Sequence, residues 1–328
     1  MLLKLAKSKG TINYLLPTLA GLLFWMKELM NPTIYPYYRG ESENLLFQAI
    51  DKFLHPYEKI QIIFALAVVI TLAYLLQQIN NHYNFIRHRS FFPALTFIII
   101  ISGFTGMHSL HPVYLASIFI GIAIYRLFDI YERPKPYSAA FDAGFLLGVA
   151  SLFYFNTFLL FPAFISGLSI LSHEKRWREF VLISLGTLLP ILFAVSYSII
   201  TEQFLEMLKV FEQNLITSNS HFGKNIKIQI YLGYLVLLTF LGSLKLIKQY
   251  DYEKVSTRKY FTIFFLLFVN SIGILLLVPS ASQEMFIISS IPVTFLIANF
   301  FIIIKNRFWS ELLFFILIAV IITLQVLN

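Results

Sequence analysis

The strongest constraint on this chain is a succession of long apolar runs with few charges inside any of them. A helix that crosses a bilayer needs about 20 mostly apolar residues, within a range of roughly 17–25. Eleven runs fit: 11–26, 60–80, 92–108, 112–128, 139–155, 157–172, 180–201, 228–247, 260–278, 285–304 and 311–327. In hydrocarbon every backbone polar group must be satisfied internally, which helices of this length achieve. The predicted fold class is therefore all-α, a polytopic integral membrane protein with a single transmembrane domain over 1–328. Composition agrees, because 58% of the residues are hydrophobic and 13% charged. Soluble domains run at roughly 25% charged residues, and their surface needs that polar cover.

Two stretches, 92–128 and 139–172, are too long for one crossing. The 34 residues of the second would reach about 51 Å as a helix, against a bilayer core of about 30 Å. Breakers lie inside both: His108-Ser109-Leu110-His111-Pro112 in the first, Asn156-Thr157 and then Pro162 in the second. Proline and polar turn residues at such places predict two hairpins of short helices.

Charge provides an independent check on the count. With eleven alternating crossings, most of the 25 Lys and Arg residues collect on one side, among them Lys4, Arg126, Lys175, Lys248 and Lys305. The other side keeps Lys27, Arg39, Lys52, Lys59, Lys209, Lys224 and Lys227. Basic loops stay cytoplasmic, so the N-terminus is expected inside and the C-terminus outside, in a bacterial inner membrane. The same bias accounts for the net charge of +8, and no nucleic-acid partner is expected. The run after Lys4, Lys7 and Lys9 resembles a signal sequence, but Leu23–Glu28 offers no small-residue cleavage site, so a retained first helix is predicted. The chain has no cysteine, which rules out disulfides, thiolate metal sites and a cysteine nucleophile.

Two predicted outer loops are large enough for chemistry, 27–59 and 202–227. In the first, Gly40 permits a sharp turn and Glu41, Ser42 and Glu43 follow. A short amphipathic helix then runs from about Glu43 to Leu54, with Leu45, Leu46, Ala49, Ile50 and Phe53 on one face. Flanked by Tyr35, Tyr37, Tyr38 and Tyr57, it suits the membrane interface. Glu41–Glu43 admits two readings. The acids cap the helix and complement its dipole, or one of them serves as a general base while Arg39, with Tyr38 beside it, grips a phosphate.

His108 and His111 occupy a predicted outer turn at i, i+3 spacing. On a helix they would share a face and could bind a metal or position a lipid pyrophosphate, although no third protein ligand for zinc is close in sequence. The alternative is two interfacial histidines closing a turn. The second loop opens amphipathically, with Phe204, Leu205, Leu208, Val210 and Phe211 against Glu202, Glu206, Lys209 and Glu212. It is either a lid or a passive surface helix, and Lys224 could contact an anionic group. Charges within the runs are scarce, with Asp142 the nearest case. That argues against an ion-coupled transporter, though not against a carrier of lipid-linked intermediates.

The segment RGESENLLFQAIDKFL at 39–54 resembles the first extracytoplasmic loop of the C-type glycosyltransferase superfamily, where an acidic residue precedes an interfacial helix. SAAFDAGFLLGVASLFYFNTFLLFPAFISGLSIL at 138–171 is similar to that family's small-residue hairpin. Ser282 to Pro292 lies where such chains carry an Arg-Tyr pair, with Gln283-Glu284 in its place. The chain also resembles polytopic membrane proteins of Bacteroidota. The glycosyltransferase resemblance implies sugar transfer from a polyprenyl phosphate at the outer leaflet. Glu41 or Glu43 is then the catalytic residue, and Arg39, Tyr38, His108, His111, Glu284 and Lys224 bind substrate. No cofactor is implied and a divalent metal stays open. Membrane lipids, the lipid-linked sugar and membrane-protein partners are the expected company. The competing expectations are a non-catalytic scaffold on the same fold and a flippase.

Overall fold

The computed structural model describes residues 14–37, 40–86, 91–172, 177–216, 226–248, 253–281, 283–304 and 306–327, and among them all regular structure is helical. The helices are α1 (Leu16–Phe24), α2 (Met26–Met30), α3 (Leu45–Leu54), α4 (Glu58–Tyr83), α5 (Phe92–Ser102), α6 (Pro112–Glu132), α7 (Tyr137–Phe153) and α8 (Phe161–Leu171). They continue as α9 (Trp177–Ile200), α10 (Phe204–Ile216), α11 (Ile226–Lys248), α12 (Val255–Leu277), α13 (Met285–Ile303) and α14 (Arg307–Leu327). Prolines in the first turn start α1, α5, α6 and α8, where the missing N–H costs nothing.

Among the described residues seven helices, α4, α6, α9 and α11–α14, are long and apolar enough to cross a membrane, making this a multi-pass helical membrane protein. The other predicted runs form shorter helices. α5 has 11 residues and α7 has 17, and at 1.5 Å per residue α5 is about 16 Å long. Both overlong stretches are broken where breakers were read: α5 ends at Ser102 before α6 starts at Pro112, and α7 ends at Phe153.

Side-chain contacts fix the directions. Gly121 of α6 faces Leu72 and Leu75 of α4, and the Tyr83 hydroxyl donates to Asp129 (2.7 Å), so α4 and α6 run parallel. Phe91, just before α5, packs on Tyr74, while Leu66, Ile70 and Ile98 converge on Gly21, so α5 runs against α4. Phe119 stacks on Phe153 and Arg126 pairs with Asp142, reversing α7 against α6. The 92–128 stretch is thus a helical hairpin, as expected. α13 is buried on nearly every side at the centre, as a helix apolar all round must be.

The helix ends gather at two poles. At one, Arg126 reaches Asp129 (3.2 Å) and Asp142, and Arg133 reaches Asp129 (3.0 Å). Asp142 therefore ties α7 to α6. Lys259 lies over the Tyr131 ring at the same pole. The opposite pole collects Glu28, Glu41, the His108–His111 turn, Tyr154 and Glu284.

Candidate functional site

At the acidic pole, α3 and α10 cover the helix ends. Gly40 adopts φ +90°, a left-handed conformation that glycine tolerates. Asn214 of α10 clamps this turn by donating to Gly40 O (3.1 Å) and Val210 O (2.8 Å). The N-cap residue of α3 is Asn44, whose Nδ2 donates to Glu41 O at 2.9 Å. On α3, Phe47 and Leu54 are buried, whereas Ala49 is exposed and Phe53 is 75% exposed. The inward face is therefore shifted from the predicted one, and Phe53 and Tyr57 remain outside to meet an interface.

The two acids part at this turn. Glu41 is 4% exposed, and its Oε2 lies 3.3 Å from His111 Nε2. His111 caps α6 by accepting from the Val113 N–H at Nδ1 (3.3 Å). The third member is Glu284, completely buried just before α13. One donor atom from each of Glu41, His111 and Glu284 lies within 4.8 Å of the others. The Tyr35 hydroxyl donates to Glu284 Oε1, and Gln283 Nε2 donates to the Tyr35 hydroxyl at 2.9 Å. Glu284 Oε2 is buried with no hydrogen-bond partner among the described residues. Burial pushes the Glu284 carboxyl up to about 7, the Glu41 charge adds to this, and His111 and Tyr35 pull it partly back.

His108 and His111 do not share a helical face, because their turn is not helical. His108 stacks on Trp25 (centroids 4.4 Å apart), and its Nδ1 lies 3.2 Å from Glu28 Oε2. Burial raises the Glu28 carboxyl, but the hydrogen bond and charge of His108 outweigh it and hold the pKa below the ordinary value. The first loop is stitched to this turn by the Tyr35 N–H to Ser109 Oγ (2.9 Å) and the Tyr37 hydroxyl to Leu110 O (3.0 Å).

Glu43 faces the other way. It is exposed and lines a cavity of about 430 Å³ between α3, α7, α9 and α10, with Gln48, Lys52, Ser198, Glu206 and Lys209. Pockets of roughly 300–1,000 Å³ hold small ligands. The lipid-type surface is adjacent, since Leu192, Phe193, Tyr197, Ile199 and Leu205 are exposed on α9 and α10.

Of the predicted residues, the structure brings Glu41, His111 and Glu284 together and puts Glu43 in the neighbouring cavity. Tyr38, Arg39 and Lys224 lie outside the described residues. Tyr35, Glu28 and Lys52 were missed as site residues. Glu28 had a signal, because Trp25 and Glu28 at i, i+3 meet one partner, His108. The chain matches no protein-family model, no curated protein and no solved structure.

Proposed function

We propose that this is an eleven-crossing protein of a bacterial inner membrane, with a cytoplasmic N-terminus and an extracytoplasmic C-terminus. At its acidic, outer pole it moves a sugar from a polyprenyl phosphate to an acceptor. The observation carrying this reading is the cavity of about 430 Å³ beneath the first loop, which joins Glu43 to Lys52 and Lys209 beside an apolar exposed surface. The two ammonium groups suit the phosphate of the donor, and the exposed faces of α9 and α10 suit its tail. Glu41 is closed off by His111, which leaves Glu43 as the base.

In the transfer, the Glu43 carboxylate takes the proton of an acceptor hydroxyl and that oxygen bonds to the sugar's anomeric carbon. The bond from that carbon to the phosphate oxygen breaks, and its electron pair leaves on the polyprenyl phosphate. The leaving group is already stable, so orientation and one base suffice. The basic opposite pole and the alternating helix directions support the orientation.

The test is transfer of radiolabelled sugar from a polyprenyl-phosphate donor by the purified protein. Glu43→Gln should lower turnover by about 100-fold or more, the usual worth of a general base, while Glu41→Gln retains most of it. Full activity in Glu43→Gln overturns the assignment of the base, and no transfer by the wild type overturns the sugar-transfer reading and favours a scaffold or flippase.

A further inference from the structure

The Glu41–His111–Glu284 cluster stands apart from the sugar-transfer cavity, and the reaction above uses none of its groups. We infer that it is a binding site for one first-row divalent cation of the zinc class, which fastens the first loop to the start of the central helix. Three features point this way.

The first is the donor set. One imidazole and two carboxylates suit zinc or manganese; a nitrogen donor disfavours magnesium and calcium, which prefer oxygen throughout. The second is spacing. Zinc bonds of about 2.0–2.1 Å in a tetrahedron put neighbouring donors about 3.3–3.4 Å apart, and Glu41 Oε2 and His111 Nε2 are 3.3 Å apart. The Glu284 donor is within 4.8 Å of both, so a small side-chain shift closes the set. The third is the orphaned Glu284 Oε2, buried with no hydrogen-bond partner among the described residues. Two carboxylates this close and this deep would be stabilised by a positive charge between them, and a dication with neutral histidine leaves the cluster uncharged.

The surroundings match. Tyr35 holds Glu284 Oε1 and is itself held by Gln283, the kind of outer support that orients metal-binding carboxylates. To ligate through Nε2, neutral His111 takes the tautomer whose single ring proton sits on Nδ1, so the long 3.3 Å contact from the Val113 N–H is given up. The three residues come from the first loop, the turn before α6 and the turn before α13, so one ion ties three distant parts of the chain.

The purified full chain, stripped with chelator in detergent, is to be titrated with ZnCl2, MnCl2 or MgCl2 alone and read by metal analysis and thermal unfolding. The expected result is one equivalent of zinc or manganese retained after dialysis, a raised Tm, and no retention of magnesium. His111→Gln and Glu284→Gln should each weaken binding by more than the 10–100-fold typical of outer-shell losses, and Tyr35→Phe by about 10-fold. Glu284→Gln removes a buried charge at constant shape, so it should fold with chelator present. Glu28→Gln and Glu43→Gln should bind as the wild type does. If the wild type retains no more zinc or manganese than the Glu41→Gln/Glu284→Gln double variant, the inference is wrong.

Discussion

At the scale of residues, Gly40 sets two nearby acids apart. Its left-handed turn directs Glu41 inward to His111, while Glu43 stays at the cavity. Glu28 and His108 form a second buried pair, and its pH dependence has a definite sign. The folded Glu28 pKa lies below its ordinary value. The stability it contributes is therefore present above the unfolded pKa, near 4.3, and is lost as pH falls through the folded pKa. Glu28→Gln should cost roughly 1–3 kcal/mol at pH 7, the usual cost of leaving a buried polar group without its partner, since His108 Nδ1 lies 3.2 Å from Glu28 Oε2. That cost should shrink as pH falls below about 4.3 and through the folded pKa, as thermal unfolding along a pH series will read; a cost that stays constant would refute the pairing. Sequence made Glu41, Glu43, His111 and Glu284 candidates but could not tell which meet. Glu41 and Glu284 are separated by most of the chain, and only folding of α13 into the centre brings them together.

At the scale of elements, the small residues of the 138–171 segment explain the tightest packing. A Cβ on Gly144 would fall far inside contact distance of Ile183 O, and one on Gly186 would do so at Phe141 O. α7 and α9 are thus in backbone contact, as small residues allow between membrane helices. Gly144→Val should destabilise by about 3 kcal/mol or more through overpacking. Gly233→Ala, with nothing within 4 Å of the added carbon, should be neutral; unfolding in detergent compares them, and equal effects would contradict the packing. The apolar runs, their breakers and the two loop helices were legible because periodicity and proline act locally. Register was not: the buried face of α3 depends on Asn214 and α10 clamping the turn before it, which no local pattern records. Of the two readings of His108 and His111, the structure takes the one that closes a turn, with His111 capping the helix from Pro112. Each histidine is held by a different glutamate, His108 also by Trp25 and His111 by Tyr35 and Tyr37 of the first loop.

At the scale of the whole molecule, the Arg126–Arg133 ion pairs lie at one pole and the Glu41–His111–Glu284 cluster at the other, so orientation and function are linked. The chain has no cysteine, which makes single-cysteine labelling direct. Lys52→Cys and Lys209→Cys should react with a membrane-impermeant maleimide in intact cells, whereas Lys135→Cys and Lys248→Cys should react only after permeabilisation. All four residues are exposed, so the opposite pattern would invert the assigned topology. The claim on which the account rests is that the Glu43 cavity holds a lipid-linked phosphate. Native mass spectrometry of the detergent-released protein with added polyprenyl phosphate tests it most directly. One bound polyprenyl phosphate is predicted, in preference to phosphatidylglycerol, with binding kept in Glu43→Gln and lost in Lys52→Glu/Lys209→Glu. Equal binding of both lipids, or binding untouched by the charge reversals, would contradict it.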